Sequence, residues 1–284
     1  MEEEKGGFFL LSLNDKFLFH NGMEIPYFGL GVYKVEDGQE VEATIAEALR
    51  LGYRLIDTAA LYQNEEGVGR AVRNSGIPRE DIFITTKVWN SEQGYENTLR
   101  AFETSLQKLG LDYIDLYLIH WPVKEKYKET WKALEELYAS GKVRAIGVSN
   151  FTIDHLKDLM AQNSIKPMAN QVELHPVLVQ KELREFCAAH GILVQAWSPL
   201  ARGRILADPL LTSLAGKHGK TPAQIVLRWH LQNRVAVIPK SVTPARLQEN
   251  AAIFDFELSA EEMNLIDGLD ANTRFGPDPD NVDF

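Results

Sequence analysis

Residues 114–150 read IDLYLIHWPVKEKYKETWKALEELYASGKVRAIGVSN. Both ends of this stretch, Ile114–His120 and Val143–Asn150, are near-continuous apolar runs of the kind found in strands covered on both faces. Between them, Tyr127–Gly141 spaces its apolar residues as a helix does and stops at a glycine. Strand, helix and strand follow one another within the length of a βα unit, which predicts parallel pairing. Working outward, the same alternation predicts further strands at Tyr27–Val32, Arg54–Ala59, Ile82–Val88, Met168–Leu174, Leu193–Pro199 and Val235–Ser241. Val41–Gly52 and Tyr95–Gly110 read as helices, each ended by glycine. Thr221-Pro222 and Thr243-Pro244 read as helix N-caps followed by proline in the first turn.

Eight strands alternating with helices, and no polar linker among them, predict an α/β fold: a (β/α)8 TIM barrel. A doubly wound sheet is the structural alternative, because alternation by itself does not decide closure. Ahead of the first barrel strand, Asn21-Gly22 lies between two apolar runs and predicts a β-hairpin with a type I′ turn. Residues 208–219 and Ser259–Leu269 are expected as two additional helices. The expected organisation is an N-terminal tail, 1–16, followed by a single barrel domain, 17–284.

The chain has 284 residues, 30 Lys plus Arg and 40 Asp plus Glu, hence a formal charge of −10. Such an acidic chain has little general attraction for nucleic-acid phosphates or anionic lipid. Cys187 is the one cysteine, so neither an internal disulfide nor a cysteine-rich zinc site is available. No apolar run approaches the roughly 18 residues of a membrane span, and three glutamates stand where a signal peptide carries positive charge. The expected compartment is the cytoplasm, with no membrane or nucleic-acid partner. His155, His175, His190, His218 and His230 show no paired ligand spacing, and no metal is expected.

Barrel enzymes carry their chemistry at the C-terminal ends of the strands. Asp57 and Lys87 end neighbouring candidate strands inside apolar runs, where an unpaired charge would be costly. Pairing with each other is one explanation. The catalytic explanation adds Tyr62, whose phenol an adjacent ammonium would make more acidic, and His120, which could orient a carbonyl oxygen. A phosphate site is expected separately at Pro239-Lys240-Ser241-Val242-Thr243-Pro244-Ala245-Arg246, where the last strand runs into a helix N-terminus. Gly29-Leu30-Gly31 lacks the third glycine of a dinucleotide fingerprint, and Gly219-Lys220-Thr221 lacks the first glycine of a phosphate loop.

The sequence resembles the aldo-keto reductase superfamily, nearest to the small bacterial glyoxal/methylglyoxal reductases and 2,5-diketo-gluconate reductases. The likeness rests on Gly52-Tyr-Arg-Leu-Ile-Asp57-Thr-Ala-x-x-Tyr62-x-Asn-Glu, Lys87-Val-Trp89, Asp112-Tyr-Ile-Asp-Leu-Tyr-Leu-Ile-His120-Trp-Pro, Gly147-Val-Ser-Asn-Phe151, Asn170-Gln-Val-Glu173 and Ile238-Pro-Lys-Ser241, and covers about residues 17–284. It implies a catalytic tetrad of Asp57, Tyr62, Lys87 and His120, with Tyr62 as proton donor, Lys87 lowering its pKa and Asp57 anchoring Lys87. It implies NADPH/NADP+ as cofactor. Ser149, Asn150 and Gln171 would hold the carboxamide, Trp197 would stack on the nicotinamide where many relatives have tyrosine, and Ser198 and Leu200 would meet the pyrophosphate. Lys240, Ser241, Val242, Thr243 and Arg246 would take the 2′-phosphate end, with Glu249 and Asn250 facing adenine. Tyr33, Trp89, His120 and Trp121 would line the substrate pocket.

The implied activity is NADPH-dependent reduction of aldehydes and small dicarbonyls, with broad specificity, by a monomer. The short connection after the fourth strand and the short C-terminal segment lead to the expectation of a shallow, open site. Two other classes remain open at this point. One is a non-catalytic binding or regulatory subunit on the same fold. The other is a lyase or isomerase using Lys87 as a Schiff-base amine, which pairing with Asp57 disfavours.

Overall fold

Described in a computed structural model are residues 12–161 and 163–284. The chain opens with a hairpin, β1 (Lys16–Leu18) against β2 (Glu24–Pro26), with Phe17 opposite Ile25. Its turn differs from the expected type I′. Gly22 has a positive φ of 82° but Asn21 does not, and the Gly22 N–H donates to the Phe19 carbonyl at 2.9 Å. Asn21 has other work. Its side-chain amide donates to the Arg144 carbonyl at 3.0 Å and to the Tyr138 hydroxyl at 3.2 Å, tying the hairpin to the barrel's N-terminal end. The fold also begins before the expected tail boundary. Lys16 is already in β1, Asp15 accepts the Ser12 N–H at 3.1 Å, and Leu13 packs on the core. Residues 1–11 of the expected tail lie outside the described residues.

Eight parallel strands follow in chain order: β3 (Leu30–Gly31), β4 (Leu55–Asp57), β5 (Phe83–Val88), β6 (Ile114–Ile119), β7 (Val143–Ser149), β8 (Ala169–Glu173), β9 (Leu193–Trp197) and β10 (Ala236–Val237). The sheet curls until its edges meet. Phe28 bridges Val237, the Gly29 N–H donates to Val237 O at 2.9 Å, and the Val237 N–H donates to Tyr27 O at 2.8 Å. Gln171 of β8 touches Asp57 of β4 at 2.7 Å. Strands four places apart can meet only through the interior of a barrel, so the doubly wound alternative is set aside.

The helices between them are α1 (Gln39–Arg50), α2 (Glu65–Asn74), α3 (Tyr95–Leu109), α4 (Tyr127–Ala139), α5 (Ile153–Met160), α6 (Lys181–Ala189), α7 (Pro209–His218), α8 (Pro222–Gln232), α9 (Pro244–Ala251) and α10 (Ala260–Asp267). α7 and α10 are the two additional helices. α3 ends as its glycine predicts, with Gly110 in the left-handed region. Thr221 caps α8 in a reciprocal capping box with Gln224. Thr243, by contrast, begins α9 without any side-chain cap.

β3 and β10 are much shorter than their apolar runs predict. Pro239 cannot donate to a ladder, and the seam is held by a short run of backbone bonds, the last from the Gly31 N–H to the Pro239 carbonyl at 3.4 Å. A Cβ on Gly29 would lie 2.5 Å from Leu55 Cγ, and one on Gly31 would lie 2.8 Å from the Ile238 carbonyl oxygen. Gly31 therefore lets the backbone close at the seam, while Gly29 leaves room for the Leu55 side chain of β4. Gly31→Ala should cost about 1–3 kcal/mol through overpacking against backbone. Urea unfolding with a midpoint equal to that of the parent chain would refute this account of the seam.

Candidate active site

Asp57 is the last residue of β4, and Lys87 lies one residue short of the end of β5. Both side chains turn into the barrel and both are buried. Lys87 Nζ donates to Asp57 Oδ1 at 2.6 Å, to the Thr58 carbonyl at 2.9 Å and to the Tyr62 hydroxyl at 3.4 Å. Three donors therefore meet three acceptors. The second oxygen of Asp57 accepts Gln171 Nε2 at 2.7 Å, and Gln171 Nε2 also donates to Gln195 Oε1 at 2.7 Å. Because a carboxylate only accepts, this chain fixes the orientation of both amides.

Tyr62 stands on a short 3-10 turn, Ala60–Tyr62, just past β4. His120 follows β6, and its ring meets Tyr62 at 5.9 Å and Trp89 at 5.1 Å between centroids. These four residues gather in one place, as expected.

Their electrostatics differ from expectation in one respect. Burial first, then the Asp57 carboxylate and Tyr33, push the Tyr62 phenol well above its ordinary range rather than below it. Burial is the main cause, and the Asp57 carboxylate, itself paired with Lys87 at 2.6 Å, acts in the same direction. Within the pair, burial raises the Asp57 carboxyl and lowers the Lys87 ammonium, each opposed by the partner's charge. His120 is held well below its ordinary value by burial and then by Lys87, so its ring is neutral. Its Nδ1 is buried without a hydrogen-bond partner.

The three residues expected at a carboxamide are adjacent, and they also bond to one another. The Ser149 hydroxyl donates to the Gln171 carbonyl at 2.7 Å. Asn150, at a left-handed φ of 64°, donates from Nδ2 to the His120 carbonyl at 3.0 Å and accepts the Trp197 indole N–H at 2.8 Å. One strained residue thus positions His120 on one side and the Trp197 ring on the other. Beyond Trp197 the backbone is strained again, with positive φ at Ser198, Ala201 and Arg202. Leu200 packs against the core. Buried His230, pushed down to about 3 and therefore neutral, holds this loop through the Pro199 carbonyl at 3.1 Å.

Farther along the same rim, Lys240, Thr243 and Arg246 are exposed, Val242 is half-buried, and Ser241 is buried with its hydroxyl accepting the Thr243 N–H at 3.1 Å. The uncapped start of α9 lies among them, and a helix N-terminus with basic neighbours suits an anion. Glu249 spends one carboxylate oxygen on the Thr221 hydroxyl at 2.9 Å, and Asn250 is buried.

Tyr33 is 48% exposed, and its ring lies 4.9 Å from that of Tyr62. Trp89 is half-buried and Trp121 is buried. The C-terminal segment crosses this side of the mouth, contrary to the expectation of an open rim. Phe284 meets Trp121 at 5.3 Å and Trp89 at 6.3 Å, and Asn90 donates to the Phe284 carbonyl at 3.2 Å. No spacing in the sequence signals that contact. Gln195, which accepts from Gln171, is the neighbour of the site that the strand-end motifs pass over; its one signal is a lone amide inside an apolar strand. A cleft of about 300 Å³ between α2 and α3 shares Trp89 with the aromatic rim, but none of Asp57, Tyr62, Lys87 or His120 lines it.

A family model described as the aldo/keto reductase family matches residues 28–271. The chain belongs to the aldo/keto reductase family. It is 58% identical over 273 residues to glyoxal reductase of Bacillus subtilis, covering 96% of this chain and 99% of that protein. With methylglyoxal reductase DkgA of Yersinia pestis it shares 49% identity, covering 92% and 95% of the two chains. A solved structure of a Gox0644 mutant in complex with NADPH superposes at a TM-score of 0.91, with 48% identity and coverage of 95% and 99%. A Bombyx mori aldo-keto reductase in complex with NADP superposes at 0.88, with 36% identity and coverage of 97% and 98%.

Among the described residues no helix is long and apolar enough to cross a membrane, and no group of three or more His, Cys, Asp or Glu could hold a metal. The pKa directions bear on the reductase reaction. A neutral His120 and a protonated Tyr62 persist from well below pH 6.5 to beyond pH 10, so neither changes state in the neutral range. Reductase kcat/KM measured between about pH 6 and 9 should show no inflection from either group. A loss of activity as pH falls through 6.5, abolished in His120→Gln, would contradict this assignment.

Proposed function

We propose that this aldo/keto reductase, an oxidoreductase that uses NADP(H), reduces aldehydes and small dicarbonyls of the glyoxal and methylglyoxal kind to alcohols. The observation that carries the reading is the position of the Tyr62 hydroxyl, 3.4 Å from a fully satisfied buried ammonium and beside a neutral imidazole. A carbonyl oxygen placed there meets the phenol O–H and an imidazole N–H together, while the surrounding apolar barrel strengthens both hydrogen bonds. Bound NADPH would supply hydride to the carbonyl carbon.

Tyr62 then gives its proton to the oxygen, and Lys87 stabilises the phenolate left behind. A raised phenol pKa does not oppose this step, because an alkoxide is a far stronger base than a phenolate. Asp57 keeps Lys87 in place and keeps it charged. A charged amine with all three donors engaged is a poor nucleophile, which argues against the Schiff-base alternative.

The same geometry supports a set of partners for the cofactor. Trp197 offers a flat face held by Asn150, and Ser149, Asn150 and Gln171 offer polar atoms at its edge. Ser198 and Leu200 lie on the strained loop and would meet the pyrophosphate. Lys240, Ser241, Val242, Thr243 and Arg246 surround the uncapped helix N-terminus, where an adenosine 2′-phosphate would be neutralised, with Glu249 and Asn250 toward adenine. The buried, unpartnered Nδ1 of His120 and Nε2 of Gln195 are consistent with a site that gains polar partners on loading. Tyr33, Trp89 and Trp121 form the substrate's aromatic wall. On this reading the enzyme acts as a cytoplasmic monomer.

Tyr62→Phe removes the proton and leaves the cofactor face untouched. Methylglyoxal reduction should fall by about 10²–10⁴-fold, while NADPH affinity measured by fluorescence titration stays within about twofold by the same logic of separable roles. Full turnover in this variant would remove Tyr62 from the mechanism.

A further inference from the structure

Glu173 ends β8 as the register partner of Trp197 and is completely buried, yet nothing in the proposed reaction uses it. Its carboxylate faces the C-terminal segment. Oε1 accepts the Phe275 N–H at 2.8 Å, and Oε2 accepts the Gly276 N–H at 2.9 Å. His175 Nε2 lies 3.1 Å from Oε1, and an Arg274 guanidinium nitrogen lies 3.9 Å from Oε2. Burial alone would raise this carboxyl, but His175 and the two N–H groups more than offset it and hold it below its ordinary value. A carboxylate accepting from two successive backbone amides grips one point of the chain in one orientation.

The gripped residues touch the cofactor side of the site. A Cβ on Gly276 would lie 2.4 Å from Cη2 of Trp197, so this backbone abuts the far edge of the indole. Trp197 is therefore held at both ends, by Asn150 at its N–H and by Gly276 at its benzo edge. The Phe275 ring lies between His175, at 5.2 Å, and the Arg204 guanidinium, at 4.6 Å. Arg204 follows directly on the strained 198–203 loop. Two further bonds, from the Ala271 and Thr273 N–H groups to the Val177 carbonyl, bring the segment up to this point.

We propose that Glu173 is a positioning residue: by clasping Phe275 and Gly276 it fixes the Trp197 ring and the 198–204 loop, and so sets how long the nicotinamide dinucleotide stays bound. The inference rests on the reading of Trp197 and that loop as cofactor contacts. A glutamine at 173 keeps the shape but has one acceptor oxygen for two N–H groups, so at least one end of the clasp opens.

The test compares Glu173→Gln, a chain ending at Arg274, and the two combined, measuring NADPH dissociation by stopped-flow protein fluorescence. Glu173→Gln should speed dissociation about tenfold, the scale of a lost charge-assisted hydrogen bond. The shortened chain should do the same, and the combination should add nothing further. A purely structural role for Glu173 would leave its effect intact in the shortened chain, and that result overturns the proposal. Dissociation within about twofold of the parent in Glu173→Gln overturns it as well. Should Glu173→Gln fail to fold, Gly276→Ala, whose backbone is outside the left-handed region, presses the same Trp197 edge and should also speed dissociation; no change would count against the clasp. Failure of the parent chain to bind NADPH at all would instead sink the cofactor reading itself, and the clasp's role with it.

Discussion

A carboxylate and an ammonium, Asp57 and Lys87, face each other at 2.6 Å in the middle of a barrel lined with apolar side chains. Removing two charges from water is expensive, and their attraction repays it only where every remaining donor and acceptor is met. Between these strands they are met. Gln171 covers the second oxygen of Asp57, Thr58 and Tyr62 take the other ammonium hydrogens, and Gln195 backs Gln171. β4, β5, β8 and β9 are thereby tied together through the barrel interior at its C-terminal end, where the surrounding loops carry the rest of the site.

Burial at the same place sets the character of the neighbouring groups. Burial, reinforced by the Asp57 carboxylate, keeps the Tyr62 phenol a neutral donor, and burial keeps His120 neutral beside it. Both residues reach the reaction carrying a hydrogen bond to give. The acid strength of Tyr62 then lies in the contrast with an alkoxide acceptor and in the ammonium that waits for the phenolate.

Much of this was legible in residue order. Apolar runs in helical and strand rhythm marked the eight strands, and polar residues at their ends, Asp57, Lys87 and His120 among them, marked the site. What failed to show has physical causes. The hairpin turn is set by Asn21 bonding across to Arg144, a long-range contact that overrides local turn preference. β3 and β10 are short where Pro239 cannot donate and Gly31 brings its backbone against the Ile238 carbonyl. The direction of the Tyr62 shift is set first by burial of the phenol, which no motif spacing encodes. Phe284 against Trp121, and Glu173 against the Phe275 and Gly276 amides, join parts of the chain about a hundred or more residues apart and leave no periodic trace.

Urea unfolding of Asp57→Asn, Lys87→Met and the double variant measures most directly whether the central pair acts as one unit. Each single change strands the other charge in an apolar interior and should cost about 3–5 kcal/mol. The double variant strands nothing, so its loss should be no greater than that of either single variant, a coupling of several kcal/mol. Losses that simply add would mean that the two charges are stabilised independently, and an ion pair could no longer be the electrostatic basis of the site.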